Sequence, residues 1–323
     1  MKLVIRVTIG IAIGVVLLYF AASGVDLDAI ESTLARARFQ PMLVALAVYW
    51  LAILLRTFRW RLLLSATRHL SVTQTGRALL VGYALNNILP ARLGELLRVD
   101  YVRRQFGVAR SAALGSVILE RLQDGIAAVS LLVVGLTIGT FESDHMALVS
   151  GTVIAAVGIS LIAAAIFVIG RTHERLLGQR FPWLSERLAI LIVAMTGLDR
   201  ESVLLSLSMT VAIWLADSLA ILFLMLGFGV HVSPVGLALV VGAAAISTII
   251  PSAPGYVGSL QAAYVLTFTA LGLDLAAGLL SATASQVLLL GSVTLVGLLI
   301  LLHDHLKGVY TSLTSDTKSH SRS

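Results

Sequence analysis

The chain has 323 residues, of which 58% are hydrophobic and 12% charged, with a formal net charge of +6 and no cysteine. Soluble domains carry about twice that charged share, and without cysteine there are no disulfides, thiolate metal sites or thiol nucleophiles. The apolar runs are long and do not alternate, which excludes barrel strands and predicts an all-α polytopic membrane protein, each span satisfying its own backbone in lipid.

Lys2 and Arg6 precede an apolar run that ends at Ala22. A cleaved signal peptide has this form, but the run approaches the ~20 residues that a span requires and is read as a retained helix. Within it Gly10 and Gly14 form a small-xxx-small packing pair. Val25–Gln40 places Leu27, Ile30 and Leu34 at helical spacing with acids between, which predicts an amphipathic surface helix. Pro41–Leu64 is the second span, and Arg56, Arg59, Arg61, Arg68 and Arg77 mark its far end as cytoplasmic.

Ala78–Leu89 is apolar for only about twelve residues, roughly 18 Å of helix, well short of the ~30 Å hydrocarbon core. Arg92, Arg98, Arg103, Arg104 and Arg110 follow it, so both flanks face one side and the segment reads as a re-entrant hairpin. Ala112–Thr140 crosses to a loop that carries Glu142 and Asp144, and Val149–Gly170 returns. The basic stretch Arg171–Glu201 is a second surface helix; Ser202–Leu226 crosses again with Asp217 near its middle. Val235–Ile250 is short, breaks at Pro251 to Gly255 and resumes as Tyr256–Leu271; Ala276–Leu302 returns, and a polar tail runs from 303 to 323.

The path closes with about six spanning helices, two Pro/Gly-broken re-entrant hairpins and both termini in the cytoplasm, as expected of a multi-pass protein of the cell (inner) membrane. Residues 1–145 and 146–302 form halves of opposite orientation, an inverted repeat. Pro90-Ala91-Arg92-Leu93-Gly94-Glu95 overlays Pro254-Gly255-Tyr256-Val257-Gly258-Ser259, and Gly107-Val108 overlays Gly272-Leu273. Broken segments at matching places in inverted halves point to a transport site near the membrane midplane.

The hinges are Pro90 and Gly94 in the first hairpin and Pro251, Pro254, Gly255 and Gly258 in the second. Asn86 and Asn87 can satisfy backbone groups freed by the first turn, and a substrate contact by Asn87 is the competing role. Arg59, Arg61, Arg92 and Arg98, with Glu95, sit where a lipid phosphate would arrive, and guanidinium groups donate to phosphate as a planar fork. Attraction to anionic inner-leaflet lipids accounts for Arg103, Arg104 and Arg110. Glu120, Arg121 and Asp124 lie two to three turns into a span, where charges face an interior or a wet cavity. They are candidates for gating or coupling, with a structural ion network as the competitor. Asp217 is either a coupling carboxylate or the partner of an arginine from the first half.

No catalytic motif is present: there is no HExxH, no phosphate-binding GxxxxGK[ST] loop and no GxSxG elbow. His303-Asp304-His305 sits in the polar tail and reads as a solvated cap, so no metal, no cofactor and no enzymatic role are expected. Nucleic-acid binding is not expected either, since the arginines flank membrane segments.

These residues together resemble the transmembrane region of lysylphosphatidylglycerol synthases and their stand-alone flippase-like relatives. The likeness rests on Arg56-x-x-Arg59-Trp60-Arg61, on Asn87-Ile88-Leu89-Pro90-Ala91-Arg92-Leu93-Gly94-Glu95-Leu96-x-Arg98, on Leu119-Glu120-Arg121-x-x-Asp124-Gly125 and on Pro251-x-x-Pro254-Gly255-x-x-Gly258. It implies movement of an anionic or phosphate-bearing lipid between leaflets (phospholipid, aminoacylated phosphatidylglycerol or polyprenyl-linked carrier), without lipid synthesis. Two departures stand out: Gln261 replaces a glutamate usual in such proteins, and an arginine common later in that half is replaced within Ala282–Gln286. Two rival expectations are a non-transporting membrane partner of a glycosyltransferase or lipid-modifying enzyme, and an intramembrane transferase using Glu120 or Asp124 as base.

Overall fold

The computed structural model describes residues 2–89, 93–138, 193, 197–249 and 252–320, and every regular element among them is helical. The expected span at 149–170 and nearly all of the basic segment from Arg171 lie outside the described residues, as do Pro90, Arg92 and Pro251.

α1 (Lys2–Ser23) turns by 83° into α2 (Leu27–Ala35), where the Asp26 carboxylate accepts from the Asp28 amide to start the new helix. α2 is helical where an amphipathic helix was expected, but shorter at both ends, with Leu27 and Leu34 exposed. α3 (Phe39–Ser65), α7 (Arg200–Gly227) and the rod from Leu275 to Lys307 are long and apolar enough to cross a membrane, and the bent α1–α2 pair would make a fourth. α6 (Arg110–Ile138) has 29 residues, about 44 Å of helix, but carries Glu120, Arg121 and Asp124.

The first hairpin is α4 (Val72–Ile88) and α5 (Leu93–Phe106). α4 starts six residues before the expected Ala78, because Ser71 and Gln74 form a reciprocal capping box that recruits a polar first turn. Its 17 residues still reach only about 26 Å, short of a span. The two helices run antiparallel at very close range. A Cβ on Gly82 would meet the Arg98 side chain at 2.8 Å, and one on Gly94 would meet the Gly82 carbonyl and the Asn86 amide at 2.3 Å.

The second hairpin is α8 (Pro234–Ser247), a 3₁₀ turn at Pro254–Tyr256 and α9 (Ser259–Ala270). Helix resumes three residues later than Tyr256 because Gly255, Tyr256 and Gly258 hold φ of +69°, +61° and +87°. For an aromatic residue that conformation is an outlier, held by its surroundings. The rod that follows is α10 (Leu275–Ala284), a π-helical segment at Ser285–Leu290 and α11 (Gly291–His320).

Lipid provides no hydrophobic force between helices, so close packing of small residues and polar contacts must hold them together. Each hairpin packs on the long helix that follows the other one. α4 lies against α11, where a Cβ on Gly297 would strike the Leu80 carbonyl at 2.3 Å. α8 lies against α6 through Gly135, Gly242, Leu132 and Leu239. α1 lies on the second break through its glycine pair: a Cβ on Gly14 would meet Ala253 at 2.7 Å, and one on Gly258 would meet the Gly14 carbonyl at 2.0 Å. α3 and α7 form the central pair. Residues on both sides of 145 are thus interlocked, while Leu43, Leu51, Leu54, Leu215, Leu219, Leu295 and Leu299 point outward from the apolar helices.

Candidate functional site

α3, α5, α6 and α7 converge on a buried ion network. The Arg59 guanidinium is fully buried and forks onto Asp124, Nη1 to Oδ1 at 2.7 Å and Nη2 to Oδ2 at 3.1 Å, while Nη1 also donates to Thr210 Oγ1 at 2.9 Å. Glu120, 1% exposed, accepts from Arg98 Nη2 at 3.1 Å and from Arg121 Nη2, with Arg59 3.9 Å away. Arg121 also reaches Asp124 Oδ2 at 3.3 Å and Glu95 Oε1 at 3.7 Å. Arg98 is 1% exposed and lies 4.2 Å over the Trp60 ring, whose Nε1 donates to Ser116 Oγ. One helical turn back on α3, Arg56 pairs with both carboxylate oxygens of Asp217 on α7.

Charge decides what this network can do. Arg59, Arg98 and Arg121 face Glu95, Glu120 and Asp124, three against three, and Arg56 with Asp217 adds one of each sign. A balanced, mutually paired set has no net field to offer an anion. What it does is join α3, α5, α6 and α7 through contacts that cannot be released singly without leaving a buried charge. Arg59 Nε and Arg98 Nε and Nη1 are buried without a hydrogen-bond partner.

Most of the residues singled out in the sequence are brought together here. Glu95 and Arg98, three residues apart on α5, each engage α6. Asp217 takes the arginine partner from the first half. Arg61 stands apart, donating to the Leu70 carbonyl at 2.8 Å to tie α3 to the loop before α4. Gln123, Ser206 and Thr210, missed in the sequence, form a hydrogen-bonded rung between α6 and α7. Their signal was faint: small or neutral polar residues in apolar helices.

The two asparagines divide the tasks proposed for them. Asn86 is structural, accepting from the Glu95 amide at 3.1 Å and so capping α5. Asn87 Nδ2 donates to Thr294 Oγ1 at 2.8 Å and to the Leu290 carbonyl at 3.3 Å, which fastens the first break to the π segment. The second break is fastened to the same segment. Gln286 Nε2 donates to the Gly255 carbonyl at 2.9 Å, Gln261 Nε2 donates to Gln286 Oε1 at 2.6 Å, and Gln261 Oε1 accepts from the Gly258 amide at 2.8 Å. Gln261, one departure seen in the sequence, thus touches Gln286, within the segment that holds the other, and the two amides form an uncharged strap. Among the hinge residues, Gly94, Pro254, Gly255 and Gly258 lie at the breaks as expected. Between the breaks and α11 is a cavity of about 400 Å³.

The sequence profile of the lysylphosphatidylglycerol synthase transmembrane region matches residues 7–297. The chain belongs to that family. The match runs through both hairpins, the ion network and the π segment, so all of these are parts of a lysylphosphatidylglycerol synthase transmembrane region. With its apolar helices, the family places the chain among multi-pass membrane proteins related to lipid handling. No curated protein and no solved structure matches the chain.

Proposed function

We propose that the protein moves a membrane lipid between leaflets, without covalent chemistry, as a flippase-like transporter of the cell membrane with both termini cytoplasmic. In this reading the described helices belong to six spans and two hairpins in an inverted repeat. The packing supports it: α3 meets α7, and each hairpin's first helix meets the span after the other hairpin, α4 with α11 and α8 with α6. A two-fold relation between halves would produce those pairings.

The observation that carries the proposal is the meeting of the two breaks. Asn87, at the end of α4, and Gly255, from the other half, border one cavity. Asn87 bonds Leu290 at the end of the π segment and Thr294 in α11, and Gln286 of that segment bonds Gly255, the π segment being the kind of helical irregularity found at functional sites. Irregular backbone at membrane depth is tolerated only where protein buries it or a cavity receives it. Arg59 and Arg98, first assigned to a headgroup, are occupied by the frame's own carboxylates, so they position the hairpin and the headgroup's nature is set elsewhere. Arg92, which lies outside the described residues, remains a candidate contact from the sequence between α4 and α5.

The test is reconstitution into liposomes with leaflet exchange of labelled phosphatidylglycerol and of a labelled neutral glucosyl diacylglycerol. Exchange of at least one lipid well above protein-free vesicles is the expected result. Exchange of neither above that background overturns the proposal, and an Arg92→Gln variant that exchanges as fast as wild type removes Arg92 from the site.

A further inference from the structure

The lining of the cavity carries chemistry that the transporter reading leaves unassigned. Its polar groups are the Asn87 amide from the first break, the Gln286 amide and Thr294 hydroxyl from the rod, and the backbone at Gly255 from the second break. None of its described lining residues is charged. At its rim Leu295 and Leu298 are 60% and 41% exposed on an apolar rod long enough to span, so the opening faces the lipid phase. The ion network contributes nothing to it, because each of its arginines is committed to carboxylates on α6 or α7.

We infer that the cavity is a binding site for the uncharged, hydroxyl-rich headgroup of a membrane lipid, such as a glycosylated diacylglycerol, rather than for an anionic headgroup. The inference rests on the transporter reading for its setting and adds the substrate class. A phosphate placed here would be desolvated with no cation among the described lining residues to meet it. The Asn87 and Gln286 amides and the Thr294 hydroxyl are hydrogen-bonded within the fold, and a sugar hydroxyl meets the donor and acceptor capacity that those bonds leave over, while its acyl chains pass the leucine rim into the bilayer. The volume of about 400 Å³ falls in the range of small-ligand sites. Gln261 and Gln286 carry no charge, and their side chains fasten the second break to the rod through neutral hydrogen bonds.

There is room to block the site. A Cβ on Gly291 would meet only the Gln286 carbonyl, at 3.5 Å, so Gly291→Phe projects a ring into the cavity with little strain at its root. Leu299→Phe adds a ring on the exposed face of the same helix and serves as control. Thr294→Val keeps the shape and removes the hydroxyl. Purified protein in neutral micelles is titrated with glucosyl diacylglycerol or phosphatidylglycerol of matched chains, and bound lipid is counted by native mass spectrometry. The expected result is at least tenfold tighter retention of the glycolipid. That preference falls at least tenfold in G291F and severalfold in T294V, and is unchanged in L299F. Equal or tighter retention of phosphatidylglycerol overturns the inference, as does undiminished glycolipid retention in both cavity variants. Leaflet exchange is read separately, so exchange of phosphatidylglycerol without glycolipid retention leaves the transporter standing and removes this site.

Discussion

Replacing Glu120 by glutamine tests whether the ion network is a balanced structural unit. The change keeps size and one acceptor but converts three charges against three into three against two at a side chain that is 1% exposed. Arg98 suffers most, since Glu120 is its ion-pair partner at 3.1 Å and its Nε and Nη1 already lack acceptors. Breaking one side of a buried pair costs 3–5 kcal/mol, and the isosteric amide places E120Q near the low end, at about 3 kcal/mol. R98M alone should cost a similar amount by leaving Glu120 in excess. The double variant restores the balance and should be no worse than either single, which gives a coupling energy of about 3 kcal/mol. The assay is equilibrium unfolding in mixed micelles with increasing SDS, followed by tryptophan fluorescence. An E120Q loss below about 0.5 kcal/mol, or a double variant whose loss is the sum of the singles, would refute the idea that these charges act as one unit.

Backbone positions give sharper contrasts. Gly258→Ala places a Cβ 2.0 Å from the Gly14 carbonyl at φ +87°, whereas Gly107→Ala, at φ +68°, meets nothing within 4 Å. G107A should cost about 1 kcal/mol from the left-handed conformation alone, and G258A at least 1–3 kcal/mol more from overpacking. The same SDS titration ranks them, and equal losses would mean that α1 does not press on the second break. Asn86→Ala removes the cap on the Glu95 amide and should cost about 1 kcal/mol, and no measurable loss would remove Asn86 from that role. Trp60→Phe loses the bond to Ser116 and weakens the stack under Arg98, together about 1–2 kcal/mol. An R98M background should shrink that loss, and an unchanged loss there argues against the stack.

The class and the hairpins were legible in the sequence because their causes are local. An apolar run either reaches membrane thickness or falls short, and proline, glycine and positive φ interrupt helices wherever they occur. The start of α4 was misplaced because a capping box makes a polar first turn helical, a short-range signal hidden beside a stronger hydropathy edge. Arg59, Glu95, Arg98, Glu120, Arg121 and Asp124, which charge in an apolar chain singles out, do gather in one ion network. Their pairing was not legible. Arg98 chose Glu120 over Glu95, three residues away, because tertiary packing turned α5 toward α6. The π segment left no trace at all: Ser285–Leu290 is an ordinary helical sequence, and its irregularity shows only in the fold, where both breaks hang on it.

The two hairpins are held by different kinds of bond, and this determines which of them can move. The first is fixed by the buried pair of Arg98 with Glu120, by a half-buried pair of Glu95 with Arg121, by the Asn86 cap and by backbone contacts at Gly82 and Gly94. Opening it means separating a buried ion pair, at 3–5 kcal/mol. The second is fixed by three neutral bonds through Gln261 and Gln286, each worth about 0.5–1.5 kcal/mol net, and by the close approach of α1 at Gly14 and Gly258, with no ion pair among these contacts. Its glycines already hold left-handed φ that a refolded loop could relinquish. Motion in a transport cycle should therefore concentrate at 252–258 while 82–98 stays fixed. Hydrogen exchange of the protein in nanodiscs distinguishes the two directly. Amides of Gly255 to Gly258 should exchange at least tenfold faster than those of Glu95 to Arg98, and Gln286→Leu, which cuts two of the three bonds, should widen the gap. Equal protection at both breaks, or faster exchange at the first, would show that charge does not set the order of opening.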